Sequence, residues 1–344
     1  MRILPFALLL VTVSACGQSP RARQGTDGSG SESTFTVMSW NLEWFYDENQ
    51  GDNFSRLAKE QSAPSRSEWD WRRDAIANSL AQAKPSVVAL QEVENRRVLW
   101  YLTGALKKKH ELQYRELAFE SRDHFTEQDV GMLYRSPVDL VKISQGGYPN
   151  RLRDTEEYYD VTKHLIAEFE YPAGDRTESV IVVNLHLRAR ADAEPLRIRQ
   201  IRLLRYWIRD AVAAGRNVVV LGDFNTEDKS AKPTADSDVG VMLGLDTPDR
   251  KDDLVDVTSE LVRKKQPTHL MGRIYDRIFC SQSMIEDDPS RVDFVFETVE
   301  LRKDLAVRGQ PDDPDKHYDG YWEMSRRERD LSDHYPVIAT FQLK

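Results

Sequence analysis

The sequence predicts an α/β fold in which strands outnumber helices. Two observations predict it. Short runs such as VVAL (Val87 to Leu90), VVNL (Val182 to Leu185) and VVVL (Val218 to Leu221) are apolar at consecutive positions. Such runs mark strands covered on both faces. Between them lie longer segments whose apolar residues fall three and four apart, the stripe of an amphipathic helix.

Taken in order, strands are expected at residues 36–40, 86–91, 130–134, 138–143, 165–170, 180–187, 217–221, 277–281, 293–299 and 337–342. Helices are expected at 68–83, 95–108 and 193–214. In the first, Ser67 and Asp70 read as a capping box, with Ile76, Leu80 and Ala83 on one stripe. In the second, Val98, Leu102, Ala105 and Leu106 form the stripe. In the third, Ile201, Leu204 and Ile208 bury one side, and the arginines between Arg197 and Arg209 read as a solvated face. Two polar stretches look like insertions. One covers residues 226–253; the other covers 307–331, with a short helix expected near 324–330.

A chain of 344 residues can bury a full core. Its net charge of −9 excludes a protein held to nucleic acid by bulk charge, but not an enzyme that grips a phosphodiester locally. The start, MRILPFALLLVTVSAC, has an apolar run too short for a membrane span and fits a signal peptide. Val13-Ser14-Ala15-Cys16 resembles a bacterial lipobox, which implies cleavage after residue 15 and a lipid on Cys16. An ordinary signal peptide cleaved at the same place is the alternative. Residues 16–34 then form the lipidated cysteine and a flexible tether, and residues 35–344 the folded domain. With Gly17 after the cysteine, the outer membrane is the favoured location, facing the periplasm or the cell surface. The other cysteine, Cys280, reads as a core residue. No segment indicates a protein partner.

Six motifs stand at or beside the ends of apolar runs: SWNLEWF (39–45), LQEVE (90–94), VNLHLR (183–188), LGDFN (221–225), YDRIF (275–279) and SDHYP (332–336). Singly, each has a plain structural reading. GDFN suits a strand followed by a turn, and SDH suits a cap. Asn41 could cap a turn, Glu92 could be a surface carboxylate, and His186 could be a hydrogen-bonded core histidine. Trp40 and Trp44 read as core. Arg188 and Arg190, which follow His186, and Arg277, beside Asp276, are candidates for phosphate contacts.

Together and in this order, the motifs resemble the endonuclease/exonuclease/phosphatase superfamily, the deoxyribonuclease I-like fold. The resemblance covers roughly residues 36 to 343. It implies a sandwich of two packed mixed β-sheets flanked by helices, and metal-dependent hydrolysis of a phosphoester. It further implies Glu92 as the direct metal ligand, with Asn41 supporting the metal or phosphate and Asp333 near the same ion. Asp223 would orient and deprotonate the attacking water, and Asn225 would hold a phosphate oxygen or the nucleophile. His334 would contact the phosphate with Asp276 as its orienting carboxylate. His186 matches the deoxyribonuclease-like branch, as general acid or phosphate holder; abasic-site repair members typically carry a tyrosine there. No carboxylate partner for His186 is evident from the sequence.

Mg²⁺ is the expected ion, with Mn²⁺ or Ca²⁺ as alternatives, since no CxxC or HExxH zinc pattern occurs. The expected function is an exported, lipid-anchored nuclease acting on DNA or RNA. The runner-up is a phospholipid (sphingomyelinase-like) or inositol-phosphate phosphoesterase, for which YDGYW (318–322) is the one candidate lipid-facing patch. A third class, a lipoprotein that only binds a partner, fits less well because every expected polar residue is present.

Overall fold

The structure, a computed structural model, describes residues 33–147, 160–173, 176–290 and 292–344. The expected signal peptide, Cys16 and nearly all of the expected tether lie outside the described residues. The expected pair of mixed sheets is borne out.

The first sheet contains β1 (Thr34–Phe45), β2 (Val87–Val93), β3 (Tyr114–Phe119), β4 (Asp129–Arg135), β11 (Phe294–Leu301) and β12 (Val337–Leu343), in the order β11-β12-β1-β2-β4-β3. The second contains β5 (Asp139–Ser144), β6 (His164–Ala173), β7 (Arg176–His186), β8 (Asn217–Asp223), β9 (Leu254–Asp256) and β10 (Asp276–Ser281), in the order β5-β6-β7-β8-β10-β9. Each sheet has one parallel pair, β1 with β2 and β7 with β8, and the remaining pairs are antiparallel.

Period-two alternation explains the continuous apolar runs. Phe35, Val37, Val87, Ala89, Val180, Val182, Val219 and Leu221 point into the space between the sheets. Their neighbours Met38, Trp40, Val88 and Leu90 pack under α2 (Arg66–Ala83) and α3 (Arg96–His110). On the other side, Ile181, Val183, Val218 and Val220 pack under α4 (Glu194–Ala213) and α5 (Asp238–Leu243). Every central strand therefore buries both faces. Trp40 is fully buried and Cys280 joins the inter-sheet core, both as expected.

Several boundaries differ from the expectation. The first long helix begins earlier, where the Ser65 side chain rather than Ser67 caps it by accepting from Glu68 N. Strands β3 and β9 and the short helices α1 (Arg56–Gln61) and α6 (Ser259–Arg263) are additions. β3 is an edge strand carrying charges, and β9 is only three residues long. The segment after Thr226 is not a solvated excursion, since α5 buries Val239, Val241 and Met242. In the 307–331 stretch the helix is α7 (Pro314–Gly320), with Asp313 as its cap and proline in its first turn, while 324–330 forms turns.

Candidate active site

The inward rows of four strands end in polar groups. β1 continues from Val37 through Ser39 to Asn41, and β7 from Val182 through Asn184 to His186. β8 continues from Leu221 to Asp223, and β10 runs back from Ile278 to Asp276. Alternation alone therefore carries Asn41, His186, Asp223 and Asp276 to one end of the sandwich interior. Glu92 breaks the rule. Strict alternation would send it with Val88 and Leu90 into the helix layer. The register of β2 shifts between Gln91 and Val93, and Glu92 adopts φ 57°. This bulge turns its carboxylate into the site.

Positive φ also occurs at Glu43, Trp44, Asn225 and Gly222, all beside the site. Residues held in such conformations need over-determined surroundings. Arg72 of α2, buried, supplies part of them by donating to the carbonyls of Leu42, Glu43, Trp44 and Leu331.

Asn41 bridges the two sheets: its Nδ2 donates to Glu92 Oε1 at 3.1 Å and to Asp223 Oδ2 at 3.0 Å. Glu92 Oε2 accepts from Trp44 N. Asp223 Oδ1 accepts from Asn225 N at 2.8 Å, and the Asn225 side chain is turned to the Leu187 carbonyl. Nε2 of His186 and Nε2 of His334 each stand 3.6 Å from Asp223 Oδ2. His334 Nδ1 meets Asp276 Oδ2 at 2.8 Å, which is the expected orienting pair. Ser332 joins the last motif to the first, donating to the Asn41 carbonyl and accepting from His334 N. His186, for which the sequence offers no partner, faces Asp223 and, at 3.9 Å, Glu92; its Nδ1 has no hydrogen-bond partner among the described residues.

The two histidines are shifted in opposite directions. Burial pulls the His334 imidazole down, but the carboxylates of Asp276, Asp223 and Asp333 outweigh it and hold its pKa well above the ordinary value. His186 is pushed well below, by burial first and then by the positive charges of Lys163 and His334. Burial raises Asp223. Burial and then the charge of Asp333 raise Glu92 to about 7.

This pattern tests whether a cation fits. Glu92, Asp223 and His186 can bring one ligand atom each within 4.8 Å of the others, and Asp333 is near enough to repel Glu92. A set rich in carboxylate oxygen, with one carboxyl held toward its protonated form by burial and then by a neighbouring carboxylate, suits a hard divalent cation.

Three expected arginines fare differently. Arg188 is exposed and lines the cleft of about 520 Å³ that holds the site. Arg190 points away and pairs with Asp192. Arg277 is not a phosphate contact: it is buried, donating to Asp256 Oδ2 and the Asp228 carbonyl. Neighbours on a strand face opposite ways, so Asp276 at the site sends Arg277 away from it. The helix arginines are also not all solvated. Arg197 and Arg205 are buried, bound to Asp238 and to Asp246 and Asp252. The YDGYW patch is tied into the fold, while Tyr318 itself stays 49% exposed. Tyr318 hydroxyl donates to Asp333, Tyr321 hydroxyl to the Asp330 carbonyl, and Trp322 lies against Arg72 and Arg329.

Residues outside the expected set complete the site. His269, from the loop before β10, has its Nε2 3.2 Å from Asp333 Oδ2. Lys163 is held by Gln128 and Asp123 on the cleft wall. Glu43 binds His317 of α7. A histidine in PTHLMGR, seven residues before Asp276, is the one signal that could have drawn attention to this loop.

Over residues 38–334 the sequence matches the Endonuclease/Exonuclease/phosphatase family. No curated protein matches it in sequence. Among solved structures, D. rerio TDP2 humanized by 14 mutations is 18% identical, covering 90% of this chain and 99% of that one, with a TM-score of 0.56. The human Nocturnin catalytic domain with bound sulfate is 15% identical, covering 91% and 95%, with a TM-score of 0.54. A family protein from Bacteroides thetaiotaomicron is 16% identical, covering 90% and 98%, with a TM-score of 0.54. At such identities these three speak to the fold. The chain belongs to the endonuclease/exonuclease/phosphatase family, whose members are hydrolases of phosphodiester or phosphate-ester bonds.

Proposed function

We propose that this protein is a Mg²⁺-dependent phosphodiesterase and acts as an exported nuclease on DNA or RNA. The observation that carries the reading is the setting of Asp223. It is a buried carboxylate fixed by Asn41 Nδ2 and Asn225 N, with the His186 and His334 imidazoles each 3.6 Å from the same oxygen. Mn²⁺ or Ca²⁺ are the alternative ions. Glu92 would hold the cation directly, with Asn41 and Asp333 beside it. Such a cation neutralises phosphate charge and polarises the phosphorus–oxygen bonds.

As the water oxygen bonds to phosphorus and the opposite bond to the leaving oxygen breaks, Asp223 takes the proton of that water and the leaving oxygen takes one from solvent. His334, kept charged by Asp276, donates to a non-bridging phosphate oxygen. His186, kept neutral, holds phosphate or water rather than serving as the resting general acid. Arg188 offers a further positive charge at the cleft mouth.

The test is nicking of supercoiled plasmid in Mg²⁺, with Asp223→Asn alongside. Cleavage by the wild type alone supports the nuclease; equal cleavage by both overturns the site. A folded protein that cleaves neither DNA nor RNA turns attention to the second reading, a phospholipid or inositol-phosphate phosphoesterase. One observation favours the lipid version: Phe54 and Phe125 are 86% and 72% exposed, and Phe125 lines the catalytic cleft. If lipid is the substrate, Phe54→Ser with Phe125→Ser abolishes hydrolysis of sphingomyelin vesicles and spares a soluble diester.

Export and anchoring follow from the lipobox-like Val13–Cys16 segment. Incorporation of labelled palmitate that is lost in Cys16→Ser is the expected result, and labelling retained in that variant overturns the anchor.

A further inference from the structure

Asp333 is gripped from two directions on one oxygen. Tyr318 hydroxyl, from α7 in the 307–331 excursion, donates to Oδ2 at 3.0 Å, and His269 Nε2 lies 3.2 Å from the same atom. The other oxygen, Oδ1, stands 3.9 Å from His334 Nε2. Backbone bonds set the frame: Leu270 N donates to the Asp333 carbonyl at 2.7 Å, and Asp333 N donates to Glu43 Oε2 at 3.1 Å. Glu43 is in turn held by His317, itself bound to Asp312. One short helix thus reaches Asp333 twice, through its side chain and through Glu43 to its backbone.

By composition, His269, Asp333 and His334 could form a metal cluster of their own, since their ligand atoms lie within 4.8 Å of one another. Hydrogen-bond polarity opposes that. Met271 N donates to His269 Nδ1 at 3.0 Å, so the neutral ring carries its proton on Nε2. The atom facing Asp333 is therefore a donor with no lone pair for a metal. Tyr318 is a donor too. With both donors spent on Oδ2, the carboxylate can present Oδ1 to the cation and phosphate side.

We propose that Tyr318 and His269 are positioning residues that fix the Asp333 carboxylate through Oδ2, so that Oδ1 serves the divalent cation; this rests on the reading of the site as a metal-dependent phosphodiesterase. The excursion that carries Tyr318 is then a buttress of the reaction centre.

A double-mutant cycle tests it. The full chain is prepared as wild type, Tyr318→Phe, Asp333→Asn and the double variant, with His269→Gln run as a second, parallel cycle in case one substitution impairs folding. Two quantities are read: the Mn²⁺ dissociation constant by calorimetry, and kcat and KM on bis(p-nitrophenyl) phosphate. Tyr318→Phe is expected to weaken Mn²⁺ binding and lower kcat about tenfold with KM unchanged, and to add less than about twofold to Asp333→Asn. Equal losses in both backgrounds overturn the proposal and leave Tyr318 a structural contact. Unchanged Mn²⁺ affinity in Asp333→Asn overturns it as well. Coupled losses in Mn²⁺ affinity without any diester hydrolysis uphold the positioning role and sink the phosphodiesterase reading. Absence of Mn²⁺ binding by the wild type sinks both.

Discussion

Arg197 Nε donates to Asp238 Oδ2 at 2.7 Å with both side chains buried. The same guanidinium reaches the carbonyls of Arg188 and Arg190, and Asp238 also accepts from Thr226 hydroxyl. A single ion pair thus ties α4 to the loop after His186 and to the segment after Asn225. Arg197→Ala would leave the Asp238 carboxylate buried and unpaired. Loss of a partner in such a pair costs about 3–5 kcal/mol, much of it the penalty on the surviving charge. Denaturant unfolding of Arg197→Ala and of Arg197→Met with Asp238→Leu measures this. The single variant should be the less stable of the two.

Glu92 predicts how metal affinity follows pH. Its carboxyl is raised to about 7, by burial first and then by Asp333. Below that value the metal-free site holds a proton that a cation must displace. Mg²⁺ affinity is therefore expected to fall about tenfold per pH unit below 7 and to level off above 8, with proton release on binding at low pH. Calorimetry in buffers of different ionisation enthalpy reads that proton directly. Glu92→Gln should bind more weakly and lose the dependence; a wild-type affinity flat from pH 5 to 8 would contradict the assignment.

His317 predicts how stability follows pH. Burial lowers its pKa, but Glu43 and then Asp312 outweigh it, giving about 9 against 6.5 unfolded. A folded-state pKa above the unfolded one gives stability that is complete below about pH 6.5. That stability is lost as pH rises through 9. The contribution is at most about 3 kcal/mol. Melting curves from pH 6 to 10 for wild type and His317→Gln should converge with rising pH. A gap between them that stays constant would refute the charged state of His317.

The central strands were legible because both their faces are covered, so Val87–Leu90 and Val218–Leu221 stand out as unbroken apolar runs. The site was legible where those runs end. At Asn41, His186, Asp223 and Asp276 the inward row simply changes from apolar to polar. Glu92 needed more, since only the bulge explains how it enters. Arg277 was misplaced although strand alternation from Asp276 already gave the answer. Arg197 and Arg205 find their partners in the acidic stretch after Thr226, a complementarity visible only once the two segments pack. His269 and Tyr318 were hidden for a related reason. His269 reaches the site through a lone bridge to His334, and Tyr318 through a helix in a stretch without strand pattern. Neither contact leaves a periodic trace.

Gly222, just before Asp223, answers why that strand ends as it does. It has φ 144°, and a Cβ placed on it would lie 2.0 Å from the Leu185 carbonyl oxygen of the adjacent parallel strand. No side chain can yield there, because the obstacle is backbone. Gly222→Ala must therefore push the end of β8 away from β7, and the residues at that register are Asp223 and His186. We expect a destabilisation of about 3 kcal/mol or more by denaturant unfolding. In the fraction that folds, a loss of hydrolysis beyond tenfold is expected, since about 1 Å of displacement can cost about a hundredfold. Gly104, whose added Cβ would meet nothing within 4 Å, is the control: Gly104→Ala, in the middle of α3, should stabilise by about 1 kcal/mol and leave hydrolysis untouched. Equal behaviour of the two variants would mean that the close approach at Gly222 does not set the position of Asp223.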